Sequence, residues 1–105
     1  NESAAMNNLF VSYDLKNPGQ NYDRVIAAIK GLGSWAKVQY SLWYVSSSYT
    51  ATQAAEIVRR AQDANDTLIV IDTTNNDASW YGLSTEVGEH MQKQWNRQIA
   101  GVSRY

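Results

Sequence analysis

The segment Thr67–Thr73, with the sequence TLIVIDT, constrains the fold more than any other part of the chain. Its length and its β-branched residues predict a strand that is apolar on both faces, with Leu68 and Val70 on one side and Ile69 and Ile71 on the other. Because a strand of this kind exposes a large apolar patch wherever it is uncovered, both of its faces need a packing partner.

Segments with strand and helix patterns alternate along the rest of the chain. The predicted elements, in order, are a strand over Leu9–Asp14, a helix over Asn21–Leu32, two strands within Trp35–Val45, a helix over Ala51–Ala64, the strand Thr67–Thr73 and a helix over Ser84–Arg97. The aromatic and β-branched residues of Trp35–Val45 form too long a run for one strand, so we expect a tight turn near Gln39–Ser41. Thr50 and Gln53 have the spacing of a capping box at the start of the second helix.

The order strand, helix, strand, strand, helix, strand is that of the split βαβ motif. It predicts an α/β (α+β) domain of ferredoxin-like βαββαβ architecture, with a four-stranded antiparallel sheet in the order 4-1-3-2 and an extra C-terminal helix. The chain of 105 residues fits one domain, which we place at residues 6–97. We interpret residues 1–5 as the remnant of an expression tag and residues 98–105 as a loosely attached tail.

The two helices of this motif cover only one face of the sheet, although the strands are apolar on both. A two-fold homodimer that packs sheet against sheet is the simplest way to cover the second face. The rival interpretation is that the third helix folds back over it.

Composition excludes several classes of protein. The sequence contains no cysteine, which excludes disulfides and thiolate metal sites and suits a reducing, cytoplasmic location. No apolar run approaches the roughly 18 residues of a membrane span, so we expect no membrane partner. Nine Lys and Arg against ten Asp and Glu give a net charge of -1, which is not the balance of a strongly basic nucleic-acid binder.

Polar residues are expected to meet where the first strand ends. In the predicted topology Asp14 comes close to Gln39, Tyr40 and Ser41, which are distant in sequence, and Asp66 and Thr67 approach from the other side. Ser12, Gln39 and Ser41 have side chains that can hydrogen-bond a phosphate or orient the waters of a metal ion. The alternative is that these residues satisfy backbone groups around a turn and that Asp14 caps the loop after it.

Four segments resemble motifs of the CRISPR-associated Cas-two family. These are the first strand ending in Tyr13-Asp14, the arginine-containing helix Arg24–Gly33, the segment VQYSLW at residues 38–43, and the strand that begins at Asp66. The match spans roughly residues 8–73. The slightly acidic composition and the helix after the last core strand indicate a divergent branch, such as the proteins described as SinR-like.

The resemblance implies a ferredoxin-like homodimer that acts as a divalent-metal-dependent endonuclease on RNA or DNA. It implies that Asp14 is the catalytic residue and the metal ligand, because the two copies of this aspartate meet near the dimer axis. The metal would be Mg²⁺, with Mn²⁺ as a substitute. Ser12, Gln39, Ser41 and Arg24 are the candidate substrate-binding residues.

A second function fits the same sequence, because fold does not fix function. In this interpretation the protein is a non-catalytic dimeric module, with a scaffolding, toxin-like or regulatory role, that binds nucleic acid or a protein partner. Trp80 and Tyr81, expected in a loop before the third helix, are the candidate partner contacts. Trp43 and Trp95 are expected in the core or in an interface instead.

Overall fold

The computed structural model describes residues 6–16 and 22–95. Its elements are β1 (Asn7–Asp14), α1 (Tyr22–Lys30), β2 (Gly33–Gln39), β3 (Leu42–Ser47), α2 (Ala51–Arg59), β4 (Thr67–Asp72), β5 (Asp77–Tyr81) and α3 (Thr85–Gln94). The interpretations of residues 1–5 and 98–105, and the expected helix ends at Asn21 and Arg97, fall outside the described residues. The fold is α+β, and the expected turn near Gln39–Ser41 does join β2 to β3.

The five strands form one antiparallel sheet in the order β2-β3-β1-β4-β5. Strand β1 pairs with β3 and with β4, as the sequence predicts. The expected four-stranded sheet is therefore incomplete, and the fold is not a simple ferredoxin-like arrangement. The segment Asp77–Tyr81 adds β5 beside β4, with Tyr81 opposite Leu68.

The turn between β4 and β5 explains why this strand was missed, since the turn contains no glycine. The buried Asp72 carboxylate accepts hydrogen bonds from the backbone N–H groups of Thr74, at 2.9 Å, and Asn75, at 3.2 Å. It also accepts one from the Asn75 side chain at 2.7 Å. Asn76 adopts a φ of 53°, a left-handed conformation that asparagine tolerates better than most residues. Together these groups reverse the chain.

Side-chain caps begin the later two helices. The Thr50 hydroxyl accepts a hydrogen bond from the Gln53 N–H, and the Gln53 side chain accepts one from the Thr50 N–H, both at 3.0 Å. This completes the predicted capping box of α2. The Ser84 hydroxyl accepts a hydrogen bond from the Val87 N–H at the start of α3.

The core lies between one face of the sheet and the helices α1 and α2. Helix α1 buries Val25 and Ile29, and α2 buries Val58 and three alanines that allow close approach to the sheet. The buried strand residues alternate along each strand, as expected for a covered face. They are Leu9, Val11, Tyr13, Trp43, Val45, Leu68 and Val70. The prediction that Trp43 is a core residue is confirmed.

The opposite face of the sheet, which we call the second face, carries the alternate strand residues. Phe10, Tyr44, Ile69 and Ile71 lie there and are only partly buried. The rings of Phe10 and Tyr44 pack 5.4 Å apart across β1 and β3. No residue described in α3 is itself fully buried, and this helix reaches the second face at its β5 end, where Gly88 lies against Trp80. The centre of the second face therefore has no helix over it in residues 6–16 and 22–95.

Candidate functional site

Asp14 is the last residue of β1, at the edge of the second face. Thr67 is its partner in β4, and the N–H of the preceding Tyr13 donates to the carbonyl oxygen of Ser41 at 3.3 Å. The predicted meeting of these segments is confirmed, because both neighbours of β1 are antiparallel to it. This position is thus a junction of three chain segments.

The Asp14 carboxylate is exposed and has a cationic neighbour. Its Oδ2 atom lies 3.0 Å from the Lys16 Nζ, and 68% of the side chain is accessible to solvent. An exposed ion pair of this kind contributes little to stability, so the carboxylate is available to a ligand. No group of three or more His, Cys, Asp or Glu side chains suited to a metal ion occurs among the residues described. Within the described residues, one chain thus offers a single exposed carboxylate at this position, which is a type of oxygen ligand that Mg²⁺ accepts.

Asp66 lies near Asp14 and has a structural role. It is fully buried, and its two carboxylate oxygens accept hydrogen bonds from the backbone N–H groups of Lys16, at 2.9 Å, and Asp63, at 2.8 Å. Asp66 therefore anchors the chain that leaves β1 to the chain that enters β4. Gly82 packs over the Asp66 carbonyl, where an added Cβ would stand 2.3 Å from the oxygen.

The other candidate substrate-binding residues divide between the two faces. Ser12 lies on the second face with Asp14, two positions earlier in β1, while Gln39 and Ser41 flank the exposed β2–β3 turn. Arg24 is exposed on α1, which packs on the opposite face of the sheet. The structure therefore brings Ser12 and the turn to Asp14 and leaves Arg24 on the other side.

Trp80 and Tyr81 lie in β5, so their expected placement in a loop is wrong. Adjacent strand residues point to opposite faces, and these two cannot form one stacking surface. Trp80 lines a cleft of about 250 Å³ with Asp77, Ala78, Gln92 and Trp95, whereas Tyr81 packs beneath the Arg59 guanidinium at 5.3 Å. Arg59 also donates to the carbonyl oxygens of Ala64 and Asp66. These contacts fix the Arg59 guanidinium within the domain, over the ring of Tyr81.

A second cluster, which sequence reasoning missed, lies along the edge strand β2 on the side of the sheet that carries the helices. We call it the aromatic ledge, and it consists of Lys30, Trp35, Lys37, Tyr40 and Trp43. The Lys30 ammonium lies 4.4 Å from the Trp35 ring, and that of Lys37 lies 5.0 Å from the Tyr40 ring. The rings of Trp35 and Trp43 pack 5.4 Å apart. Every residue of β2 is exposed, and β2 is the outermost strand at its side of the sheet.

Charge is divided unevenly between the two halves of the chain. From Arg24 to Ala55 there is no Asp or Glu, and there are three basic residues, two of which belong to the aromatic ledge. From Glu56 to Trp95 there are seven acidic and three Lys or Arg residues. Although the net charge of the whole chain is only -1, the segment from Arg24 to Ala55, which holds most of α1 and all of β2 and β3, is therefore basic.

Tyr13 and Trp43 form a buried polar contact beside the aromatic ledge. Burial raises the pKa of the Tyr13 hydroxyl above its ordinary value, and the nearby Trp43 indole partly offsets the rise. Tyr22 and Tyr40 add smaller electrostatic contributions that raise this pKa further. The buried Trp43 N–H completes no hydrogen bond within the part of the chain that the structure describes.

Comparison of the chain with protein-family models, with curated proteins and with solved structures finds no match. The resemblance to the Cas-two family therefore rests on the sequence motifs and stays a prediction. No helix within residues 6–16 and 22–95 has the length and apolar character needed to cross a membrane.

Proposed function

We propose that the protein is a homodimeric, non-catalytic binding module whose first four strands form a ferredoxin-like core. The observation that carries the proposal is the second face, which is apolar across three adjacent strands. Phe10, Tyr44, Ile69 and Ile71 lie there without a covering helix among the described residues. A second copy of the chain presents the same apolar surface, so the two faces complement each other about a two-fold axis.

A charge placed in the centre of this face tests the proposal. The variant Ile71→Glu would bury an unpaired carboxylate in the dimer, and we expect a monomer with an unchanged circular dichroism spectrum. The matched control is Val87→Glu, which puts the same charge on the exposed surface of α3, where Val87 is 48% accessible. Light scattering coupled to size-exclusion chromatography measures the mass of each variant. A monomeric wild type, or a dimer that both variants retain, contradicts the proposal.

A metal-dependent endonuclease is the second candidate, because Asp14 lies on the same face as the apolar patch. Two copies packed through this face can bring two Asp14 carboxylates together if the axis passes near the end of β1. Two such carboxylates repel each other unless a cation such as Mg²⁺ lies between them. A bound Mg²⁺ would activate a water molecule and neutralise charge on the phosphodiester.

The nuclease is tested by cleavage of single- and double-stranded RNA and DNA with Mg²⁺, with Mn²⁺ or with a chelator. Asp14→Asn removes the proposed ligand, and Asp77→Asn removes a carboxylate that is also exposed but lies at the opposite end of the strands. Cleavage that requires metal and Asp14 but not Asp77 supports the enzyme. Absence of cleavage by a folded dimer supports a binding function without catalysis. Equal cleavage by both variants would instead indicate a different catalytic site or a contaminating nuclease, and would contradict the role of Asp14.

A further inference from the structure

The aromatic ledge combines exposed aromatic side chains with cations that have no carboxylate partner among the described residues, and this combination indicates a specific class of ligand. Tyr40 is 79% accessible and Trp35 is 44% accessible, which is far more than a folded core requires. Tyr and Trp are enriched at interfaces, and exposed apolar side chains that lie together in one patch mark an interaction site.

The cations of the ledge have no acidic partner in the described part of the chain. Lys30 and Lys37 contact only aromatic rings there, at 4.4–5.9 Å, and form no ion pair with a carboxylate. No acidic residue occurs anywhere in β2 or β3. The ledge therefore presents positive charge next to flat apolar rings.

These properties are complementary to unpaired nucleotides, which offer a planar base and an anionic phosphate. Within a duplex the faces of the bases are stacked on each other, so an aromatic ring can stack only on bases that are free. Trp35 and Tyr40 are five residues apart, and even a fully extended chain of this length would span at most roughly 16 Å. At about 3.4 Å for each stacked nucleotide, this interval accommodates up to about five nucleotides.

We propose that the aromatic ledge binds single-stranded nucleic acid, with Trp35 and Tyr40 stacking on unpaired bases and Lys30 and Lys37 contacting phosphates. This inference rests on the proposed function as a binding module and names its ligand. It assigns binding to the outer strand of the sheet and to the helix-covered side, opposite the second face that carries Asp14, with only Tyr40 in the β2–β3 turn that approaches the end of β1. Each protomer carries a complete ledge, because all of its residues come from one chain.

Fluorescence anisotropy with labelled 12-nucleotide oligothymidine and oligouridine tests the proposal, with a 12-base-pair duplex as the competing ligand. Tyr40→Ala removes an exposed ring from a turn, and we expect the Kd for the single strands to rise roughly 5- to 150-fold. Tyr49→Ala is the matched control, since Tyr49 is also exposed but lies at the opposite end of β3. It should leave the Kd unchanged. Equal binding by the two variants overturns the stacking role.

The contribution of the lysine charges to binding is tested separately, by the dependence of the Kd on salt concentration. Lys37→Gln should lower the slope of log Kd against log salt by roughly 0.7, the value for one phosphate contact on a single strand. Lys93→Gln, on α3, is the control and should leave the slope unchanged. Tighter binding of the duplex than of the single strands would contradict the proposal, and so would a folded wild type that binds neither.

The binding measurements and the mass measurements together distinguish a failure of the ledge proposal from a failure of the proposed dimer. If Ile71→Glu is monomeric and still binds the oligonucleotides through Tyr40, the ledge is supported independently of the oligomeric state. If the wild type is a dimer that binds no oligonucleotide, the ledge proposal fails and the dimer stands. A protein partner is then the ligand class to pursue.

Discussion

Replacing Gly82 by alanine should destabilise the protein far more than the same replacement at Gly31. Gly82 has a φ of 81°, and an added Cβ would lie 2.3 Å from the carbonyl oxygen of Asp66 and 3.1 Å from the Cα of Thr67. Both close neighbours are backbone atoms, which cannot rotate away as a flexible side chain would. The structure around the end of β5 would have to shift.

The magnitude follows from two contributions. A left-handed conformation costs a non-glycine residue about 1–2 kcal/mol, and overpacking against the backbone costs about 1–3 kcal/mol more. The sum is about 2–5 kcal/mol of the free energy of unfolding. For a domain of this size 1 kcal/mol corresponds to roughly 4–8 °C in Tm, so we expect Gly82→Ala to lower the Tm by at least about 8 °C.

Gly31→Ala is the matched control. An added Cβ at Gly31 meets only two carbonyl oxygens, at 3.4 and 3.5 Å, and the backbone there does not have a positive φ. We expect a change in unfolding free energy within about 1 kcal/mol, towards greater stability, because alanine restricts the unfolded chain. Urea denaturation followed by tryptophan fluorescence measures both variants. If Gly82→Ala is no less stable than Gly31→Ala, then the close packing of β5 against the start of β4 is refuted.

Three further predictions concern buried polar groups. Asp72→Ala should cost about 1–3 kcal/mol in urea denaturation, because it removes the acceptor for the donors of the β4–β5 turn. Ser47→Ala should cost about 1–2 kcal/mol in the same assay, since the Ser47 hydroxyl donates to the buried Leu32 carbonyl at 2.7 Å. Because folding raises the pKa of Tyr13, its titration favours the folded state at pH values below the ordinary tyrosine pKa. This contribution to stability is lost as the pH rises through the pKa that Tyr13 has in the folded protein. Absorbance titration should therefore show one late-titrating tyrosine that Tyr13→Phe abolishes.

The sequence predicts the central part of the fold well because local signals and long-range burial agree there. The continuous β-branched and apolar run in Thr67–Thr73 and the capping box at Thr50 each specify one structure. The same signals place Asp14 beside Thr67 and Ser41, since antiparallel neighbours of one strand bring their ends to a common edge. That part of the candidate site follows from topology alone.

Strand β5 could not be recognised in the same way. Its five residues, DASWY, are too few to show a clear period, and the turn before it depends on the side chain of Asp72 instead of a glycine. Sequence-based turn rules find glycine-containing hairpins more readily than a turn that needs a buried carboxylate. Trp80 and Tyr81 were consequently expected in a loop.

The aromatic ledge was missed for a different physical reason. An aromatic residue such as Trp35 has the same local pattern in a covered strand and in an edge strand. Its exposure depends on whether its strand lies at the edge of the sheet, which is a property of the pairing of distant segments. One signal in the sequence does indicate the ledge, namely the long interval without acidic residues from Arg24 to Ala55.

The free edge of β2 also bears on whether the protein can stay dispersed at high concentration. An open, flat strand edge is a template on which other chains add strands and grow into filaments. In β2 the register shifts between Lys37 and Gln39, and Lys37 adds a charge next to this irregularity. Both features hinder the addition of a further strand. The proposed association through the second face, by contrast, would be self-closing and would end at two copies, so the chain could join a second copy without polymerising.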